Sequence, residues 1–549
     1  MCDQRNHQSW LVLLAAWATF LLFGAIAAPV PGVNEPHYLC KARHYWQPEW
    51  CPRDFFLASP NAHTVFYATI GSLTNFCSFD MSAWIGRAMA TFILAWGWTR
   101  CLSRLFSQPW TTLWCAWIFL AMTACGNFSG EWLVGGVEGK VFAYGFLLAA
   151  LGSFLRGVRR LAATWAGIAV SFHPVVGIWG LLAFAMSRIT RLFFEFRRAN
   201  RVASVARVFN EGTGSGRVPT GSTAFRVFSR PLFQFDNVQS ALIVFVLALP
   251  GLIPVIRLLT EQVSEDTRYE ATYIQVYFRL AHHLDPMLFP ASAYLGYTVL
   301  LCIWVSNFFW GGRTESRNAF DQIVIWAVVF AIGGIMIGFG PRPPVRMPYF
   351  AERMNLLKFY PFRLADVLVP IAVAISLTSV LERTFLTLPP TTKRRSTVPF
   401  PVVVMVFVFL GGLCRAYAMS ETNRYSHEDR KDWLDICRWI DEHLPADALV
   451  ESPTNCWAFK WFARRAEYVA FKDCPQDAAG IVEWNRRLMF LKKWYDEKYS
   501  DQFYSATELK DLRQQTGLTH LLTDRLGPLE LEPIYRNGTF HVYDLSVLE

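Results

Sequence analysis

The stretch from Gly32 to His63 sets Glu35, His37, Lys41, Arg43, His44, Glu49, Arg53, Asp54 and His63 between two apolar segments. Charges are costly in hydrocarbon and cheap in water, so this run predicts a wet loop just outside a membrane span. Later loops expected on the same side add Glu131, Glu138 and Lys140, then His173, then Arg279, His282, His283 and Asp285. The last of them carries Arg342, Arg346, Glu352, Arg353, Lys358, Arg363 and Asp366. Carboxylates come early and cations late. That order suits transfer of a group from a phosphate-bearing donor to a hydroxyl. A carboxylate takes the hydroxyl proton, and cations hold the departing phosphate as its charge builds. Glu35 and Asp54 are the two candidate bases. Lys358 and Arg363, five apart around Pro361, are the preferred phosphate ligands, joined by Arg342 and Arg346. His37, His63, Glu131, Glu138, Lys140 and His173 complete a substrate-binding set. Each also has a plainer reading: backbone-bonded interfacial histidines, solvated loop carboxylates, and cations snorkelling to headgroups.

The elements that must position these groups follow from composition. The chain has 549 residues, 53% hydrophobic and only 17% charged, with a mean hydropathy of +0.24. Ordinary soluble domains carry about 25% charged residues. Apolar runs of roughly 18 residues recur throughout, which predicts a polytopic α-helical membrane protein. The spans expected are Trp10–Val30, Met81–Trp98, Trp110–Cys125, Lys140–Leu155, Leu161–Phe172, Pro174–Ser187, Ser240–Leu259, Pro290–Trp310, Phe320–Gly340, Leu364–Leu381 and Val398–Ala418. That is about eleven, with the short pair around His173 alternatively a re-entrant hairpin. The first run ends in a signal-peptidase-like Ala25-Ile26-Ala27-Ala28, yet its length favours an uncleaved anchor.

Basic clusters at Arg100/Arg104, Arg156/Arg159/Arg160, Arg188–Arg201, Arg313/Arg317 and Lys393–Arg395 all fall on one side of this alternation. The positive-inside rule makes that side cytoplasmic, with the N-terminus in and the tail out. The net charge of +9 is therefore a topology signal and not a nucleic-acid footprint. A first outer loop then covers 31–80, and a mobile cytoplasmic loop covers 188–238. From 421 to 549 alternating helix and strand patterns predict a small α/β domain outside the cytoplasm. Its helices are expected over Trp433–His443, Trp457–Arg465, Ala478–Tyr495 and Ala506–Thr516. Its strands are expected at Ala448–Glu451, Tyr468–Phe471, His520–Thr523 and Phe540–Tyr543.

Twelve cysteines include two pairs on the outer side, Cys40 with Cys51 and Cys456 with Cys474. Disulfide and free thiol both remain open for each pair. Neither CxxC nor HExxH occurs, and the tail lacks phosphate-binding glycine loops. No metal ligand set stands out, although histidines with a carboxylate would suit a divalent ion, Mg or Mn, bridging a donor phosphate.

The run Asn34-Glu35-Pro36-His37-Tyr38 through Ala42, directly after the first span, resembles the first-loop acidic motif of the GT-C superfamily. These are integral-membrane glycosyltransferases that use polyprenyl-phosphate-linked sugars, such as protein O-mannosyltransferases and aminoarabinose transferases. Where that superfamily usually has Asp-Glu, this chain has Asn34-Glu35, and the Asp is the residue generally credited as base. The stretch NEPHYLCKARHYWQPEWCPRDFFLASPNAHTVFY, with LLKFYPFRLAD and YVAFKDCP, also resembles a group of uncharacterised bacterial membrane proteins. The resemblance implies a GT-C-like fold in the bacterial inner membrane, with site and tail outside the cytoplasm. It implies a polyprenyl-phosphate sugar donor, an outer-face glycan, lipid or protein acceptor, and lipid but no nucleic-acid partners. A transporter or lipid flippase is the alternative, though such proteins place charges at mid-membrane and show internal repeats. A non-catalytic envelope assembly protein is the other.

Overall fold

A computed structural model of the chain describes residues 2–32, 34–211, 235–310, 314–386, 400–420, 427–453, 458–498, 501–524 and 528–548. A helix stands at each of the eleven apolar stretches: α1 (Cys2–Ala27), α3 (Phe79–Leu102), α4 (Thr111–Cys125), α5 (Gly139–Leu155), α6 (Arg159–Phe172), α7 (Pro174–Glu211), α8 (Phe235–Leu259), α9 (Ala291–Trp310), α10 (Glu315–Gly338), α11 (Arg363–Leu386) and α12 (Phe400–Ala418). Between the first two lies α2 (Glu35–Trp46). Six of these helices, α1, α7, α8, α9, α10 and α11, are long and apolar enough to cross a membrane; α4, α5 and α12 are apolar but shorter. This is the make-up of a multi-pass membrane protein.

α3 packs along α5, α5 on α6, and α6 on α8, while α11 and α12 both lie against α4. Glycine sets the closest of these approaches. A Cβ on Gly97 of α3 would sit 2.0 Å from the Gly145 carbonyl oxygen of α5. Small residues let helix backbones meet where no hydrophobic drive exists between helices.

α7 corrects the expectation of a short span followed by a loop. It runs 38 residues, to Glu211, which is about 57 Å at 1.5 Å per residue and too long for half of a re-entrant hairpin. Nothing between Arg188 and Glu211 is Gly or Pro, so the basic segment continues the helix. The rest of the expected 188–238 loop is helical again from Phe235; its Gly/Ser-rich centre lies outside the described residues.

The tail carries α13 (His427–His443), α14 (Phe459–Ala463), α15 (Ala478–Lys498) and α16 (Ala506–Thr516) around a five-stranded sheet. Its strands are β1 (Leu449–Glu451), β2 (Ala466–Glu467), β3 (His520–Thr523), β4 (Tyr535–Arg536) and β5 (His541–Asp544), in the order β2-β1-β3-β5-β4. β1 pairs parallel with β2 and β3, Val450 opposite His520. β5 runs antiparallel between β3 and β4. The strand expected at Tyr468–Phe471 lies earlier, at β2, because a left-handed Arg464 ends α14 and turns the chain directly into the sheet.

The tail docks on one end of the helix bundle. The Phe79 ring stacks on Trp461 at 5.0 Å, Ala62 N–H donates to Gln476 at 2.7 Å, and Arg279 donates to the Lys472 carbonyl at 2.9 Å. The first loop is consequently wet only in part, with Glu49 and Arg53 exposed. Glu35, Lys41, Asp54 and His63 are all buried, because the tail and the helix ends close over them. Cys40 and Cys51 are both buried free thiols, and Cys456 lies outside the described residues.

Candidate active site

The connection from Gly126 to Glu138, between α4 and α5, is fixed by two carboxylates from distant parts of the chain. Asp366, in the first turn of α11, accepts the N–H groups of Phe128 (2.6 Å), Ser129 (2.8 Å) and Glu131 (3.1 Å). It also accepts the Ser129 hydroxyl at 2.9 Å and the Tyr297 hydroxyl at 2.5 Å. At the loop's other end Glu35 accepts the Val137 N–H at 2.8 Å. Gly130 permits the path between, at φ +80 and with the His283 ring 2.3 Å from where a Cβ would stand.

So held, the loop presents Glu131, Glu138 and Lys140 to α11. Arg363 Nε lies 3.1 Å from Glu131 Oε2, and its guanidinium sits over the Tyr360 ring at 4.0 Å. Lys140 Nζ lies 3.6 Å from the same Oε2 and 3.4 Å from Glu138 Oε2, over the Trp132 ring at 3.9 Å. Asn34 donates to Glu138 Oε1 at 2.5 Å. Arg363 Nη1 is 3.3 Å from His173 Nε2. The His173 and His63 rings are 5.3 Å apart, and His63 Nε2 is 3.4 Å from the Tyr38 hydroxyl.

Burial drives both imidazoles towards neutrality. His63 falls to about 3 through burial and the nearby His37, Arg363 and Lys41. His173 lies well below its usual value through burial, Arg363, His63 and Lys140. Three buried polar atoms of this cluster lack a hydrogen-bond partner among the described residues: Glu131 Oε1, His63 Nδ1 and Arg363 Nε. A buried carboxylate oxygen left open beside two cations is a proton acceptor placed against an anion-binding pair.

Six of the expected site residues therefore meet in one cluster: His63, Glu131, Glu138, Lys140, His173 and Arg363. The other six do not join it. Glu35 is wholly inaccessible, its carboxylate gripped by Arg87 Nε at 2.6 Å and Nη2 at 2.7 Å, besides the N–H groups of Gly32 and Val137. No lone pair there faces open space, which does not fit a base for an incoming hydroxyl. Asp54, also buried, caps the helix Phe55–Ala58 through Leu57 N–H at 2.9 Å and accepts Glu467 N–H from the tail at 3.0 Å. His37 lies in the seam with the tail, 3.0 Å from Asp473. Arg342 pairs with Asp285 at 2.5 Å, Arg346 is exposed, and Lys358 donates to Asn355 at 3.1 Å. Lys358 thus gives way to Lys140 as Arg363's companion.

The sequence reading gave no role to Asp366, Arg87, Lys460 or Asp473. Arg87 had a usable signal, since a lone charge inside an apolar helix demands a partner. Lys460 bridges Asp54, Glu467 and Asp473 at 3.4, 2.8 and 2.7 Å, and nothing local announces that. Among the described residues no three His, Cys, Asp or Glu side chains are grouped to hold a metal ion. Lys140 stands between Glu131 and Glu138 where a divalent ion would be expected, so the cluster does not fit Mg or Mn.

Residues 431–489 match a family described as Domain of unknown function (DUF6798), a span that includes Lys460, Glu467 and Asp473. No curated protein matches the chain.

Proposed function

We propose that the protein is a membrane glycosyltransferase that moves a sugar from a polyprenyl-phosphate-linked donor to an acceptor hydroxyl outside the cytoplasm. In this reading the bundle is GT-C-like and its eleven helices all cross the membrane, N-terminus in and tail out. The observation that carries it is the open oxygen of Glu131, buried beside Arg363 and Lys140. Glu131 takes the role first expected of Glu35 or Asp54. The acceptor O–H proton passes to Glu131 Oε1 while the acceptor oxygen attacks the anomeric carbon. The carbon–oxygen bond to phosphate breaks on the opposite side, its electron pair moving onto the phosphate oxygen held by Arg363 and Lys140. Direct attack inverts the anomeric centre. His63 and His173, both neutral, line the site without adding charge.

The helix directions agree with one reaction face. The loops carrying these groups and the tail gather at one bundle end, while Arg156 meets Ser103 among the basic residues of the other. The test is complementation of a deletion strain. Glu131→Gln and Arg363→Gln should accumulate lipid-linked sugar and lose the outer-face glycan, each by about 10²-fold or more. Normal glycans from both folded variants would end the proposal.

A further inference from the structure

Three arginines meet at the end of the bundle away from the Glu131 cluster. Gly152 of α5 lies so close to α3 that a Cβ there would stand 2.6 Å from the Arg100 carbonyl oxygen. That approach gathers the charges at the two helix ends: Arg100 in the last turn of α3, Arg104 just beyond it, and Arg156 just beyond α5. The ends are cross-tied. Arg100 Nε donates to Ser153 Oγ of α5 at 3.3 Å, and Arg156 Nη2 donates to Ser103 Oγ, after α3, at 3.0 Å. At 1.5 Å per residue α5 sets this cluster about 24 Å from Lys140.

No anion answers these cations. Among the described residues none of the three pairs with a carboxylate, and both hydrogen bonds end on neutral hydroxyls. Burial, Arg100 and Arg104 all push the Arg156 guanidinium down, and no carboxylate acts in the opposite direction. A guanidinium does not shed its proton, so the repulsion stays. Water and the helix C-termini offset part of it. Arg100 and Arg156 are nonetheless half-buried, and only Arg104 is exposed. A bound anion removes the remainder.

The surroundings say which anion. Guanidinium forks from two helices match the oxygens of a phosphate. Arg100 lies over the Trp96 ring at 5.7 Å, and Trp165 meets Trp96 edge-on at 4.9 Å. Paired tryptophans beneath a basic helix end are side chains of the kind that sit at headgroup level. Val158, 46% exposed, adds an apolar edge beside Arg156. A soluble anion gains nothing from that edge, whereas an acyl chain does. We propose that Arg100, Arg104 and Arg156 bind the phosphodiester headgroup of an anionic membrane phospholipid. The site rests on the multi-pass character of the chain and stands whether or not Glu131 transfers a sugar.

Full-length protein in maltoside micelles is titrated with phosphatidylglycerol, or with zwitterionic phosphatidylcholine as control. Bound lipid is counted by native mass spectrometry, and melting is followed in parallel. The protein should retain phosphatidylglycerol in preference and melt higher with it. Inorganic phosphate at equal concentration should not raise the melting temperature. Arg104→Gln should weaken the apparent affinity for phosphatidylglycerol about fivefold, and Arg100→Gln with Arg156→Gln about 30-fold. In delipidated protein Arg104→Gln relieves repulsion and should melt no lower than the native chain, so its lost binding is not lost folding. Arg197→Gln, exposed on α7, should leave the affinity unchanged. Equal retention of the two lipids, equal stabilisation by phosphate, or a loss in Arg197→Gln as large as in Arg104→Gln would each overturn the proposal.

Discussion

Glu35→Gln separates a carboxylate that holds the fold from one that does chemistry. The native side chain receives hydrogen bonds of 2.6 and 2.7 Å from Arg87, 2.6 Å from Gly32 N–H and 2.8 Å from Val137 N–H. Gln offers one acceptor oxygen in place of two and turns an NH2 group towards donors. Arg87, equally buried, keeps the Ala28 carbonyl at 2.6 Å but loses its only carboxylate partner among the described residues. Removing one partner of a buried ion pair costs about 3–5 kcal/mol, most of it the stranded charge. The expected result is loss of folded protein, seen as low detergent-extracted yield and a melting temperature lowered by several degrees. Glu35→Met with Arg87→Met together should recover much of that loss, since a buried pair replaced by apolar groups is often near neutral. Glu35→Gln that melts like the native protein yet has no function would refute this account and return Glu35 to the chemistry.

Three further outcomes follow from the same geometry. Lys460→Met leaves Asp54, Glu467 and Asp473 without their shared cation; limited proteolysis should release the tail, at a cost of about 3–5 kcal/mol, and an undisturbed tail would count against the seam described. Gly97→Ala forces α3 off α5 at the Gly145 carbonyl and should lower thermal stability by about 1–3 kcal/mol, read against Gly296→Ala, which has open space. Glu451 is buried in β1 and pushed up to about 8 by burial and the neighbouring Glu467. A raised carboxyl favours folding when protonated, so its contribution is present below about 4.5 and lost as pH rises towards 8. Glu451→Gln should therefore stabilise the protein at pH 8, by about 4 kcal/mol at 1.4 kcal/mol per unit, and not at pH 4; equal melting at both values would remove the effect.

What was legible in the sequence followed from demands that lipid makes locally. Hydrocarbon requires long apolar helices, and helices stand where those runs predict them. Among the described basic residues, Arg156 meets Ser103 and Arg191 meets Glu315, at helix ends opposite those that carry the acidic loops. The tail's helix stands at Ala506–Thr516 where its apolar pattern predicts it, and the structure adds a capping box of Ser505 with Glu508. Two-residue β4 carried no such signal. The state of the first loop depends on distant partners. Glu35 is dry because Arg87 lies 52 residues on, and Asp54 because β2 arrives 413 residues later. A local pattern sees only that such residues are charged, and a charged stretch beside a span reads as wet. The same blindness favoured Lys358, close in sequence to Arg363, over Lys140, which reaches the same carboxylate through another loop.

Spare lone pairs, more than position in a motif, distinguish the carboxylates at this end of the molecule. Glu35 saturates both oxygens with Arg87 and two backbone N–H groups. Asp54 divides its oxygens between Leu57 and Glu467 N–H, with Lys460 beyond. Asp366 accepts three N–H groups and two hydroxyls. Each fixes backbone that local secondary structure leaves unpaired, the one use that justifies burying a charge so completely. Glu131 differs. On a loop whose path Asp366 and Glu35 dictate, its Oε2 meets two cations and its Oε1 has no hydrogen-bond partner among the described residues, although the buried Tyr144 hydroxyl lies close enough to feel the carboxylate. In the proposed reaction the acidic first-loop residue Glu35 thus acts one step removed from chemistry: it helps set the 126–138 loop, and that loop carries Glu131, the base proposed.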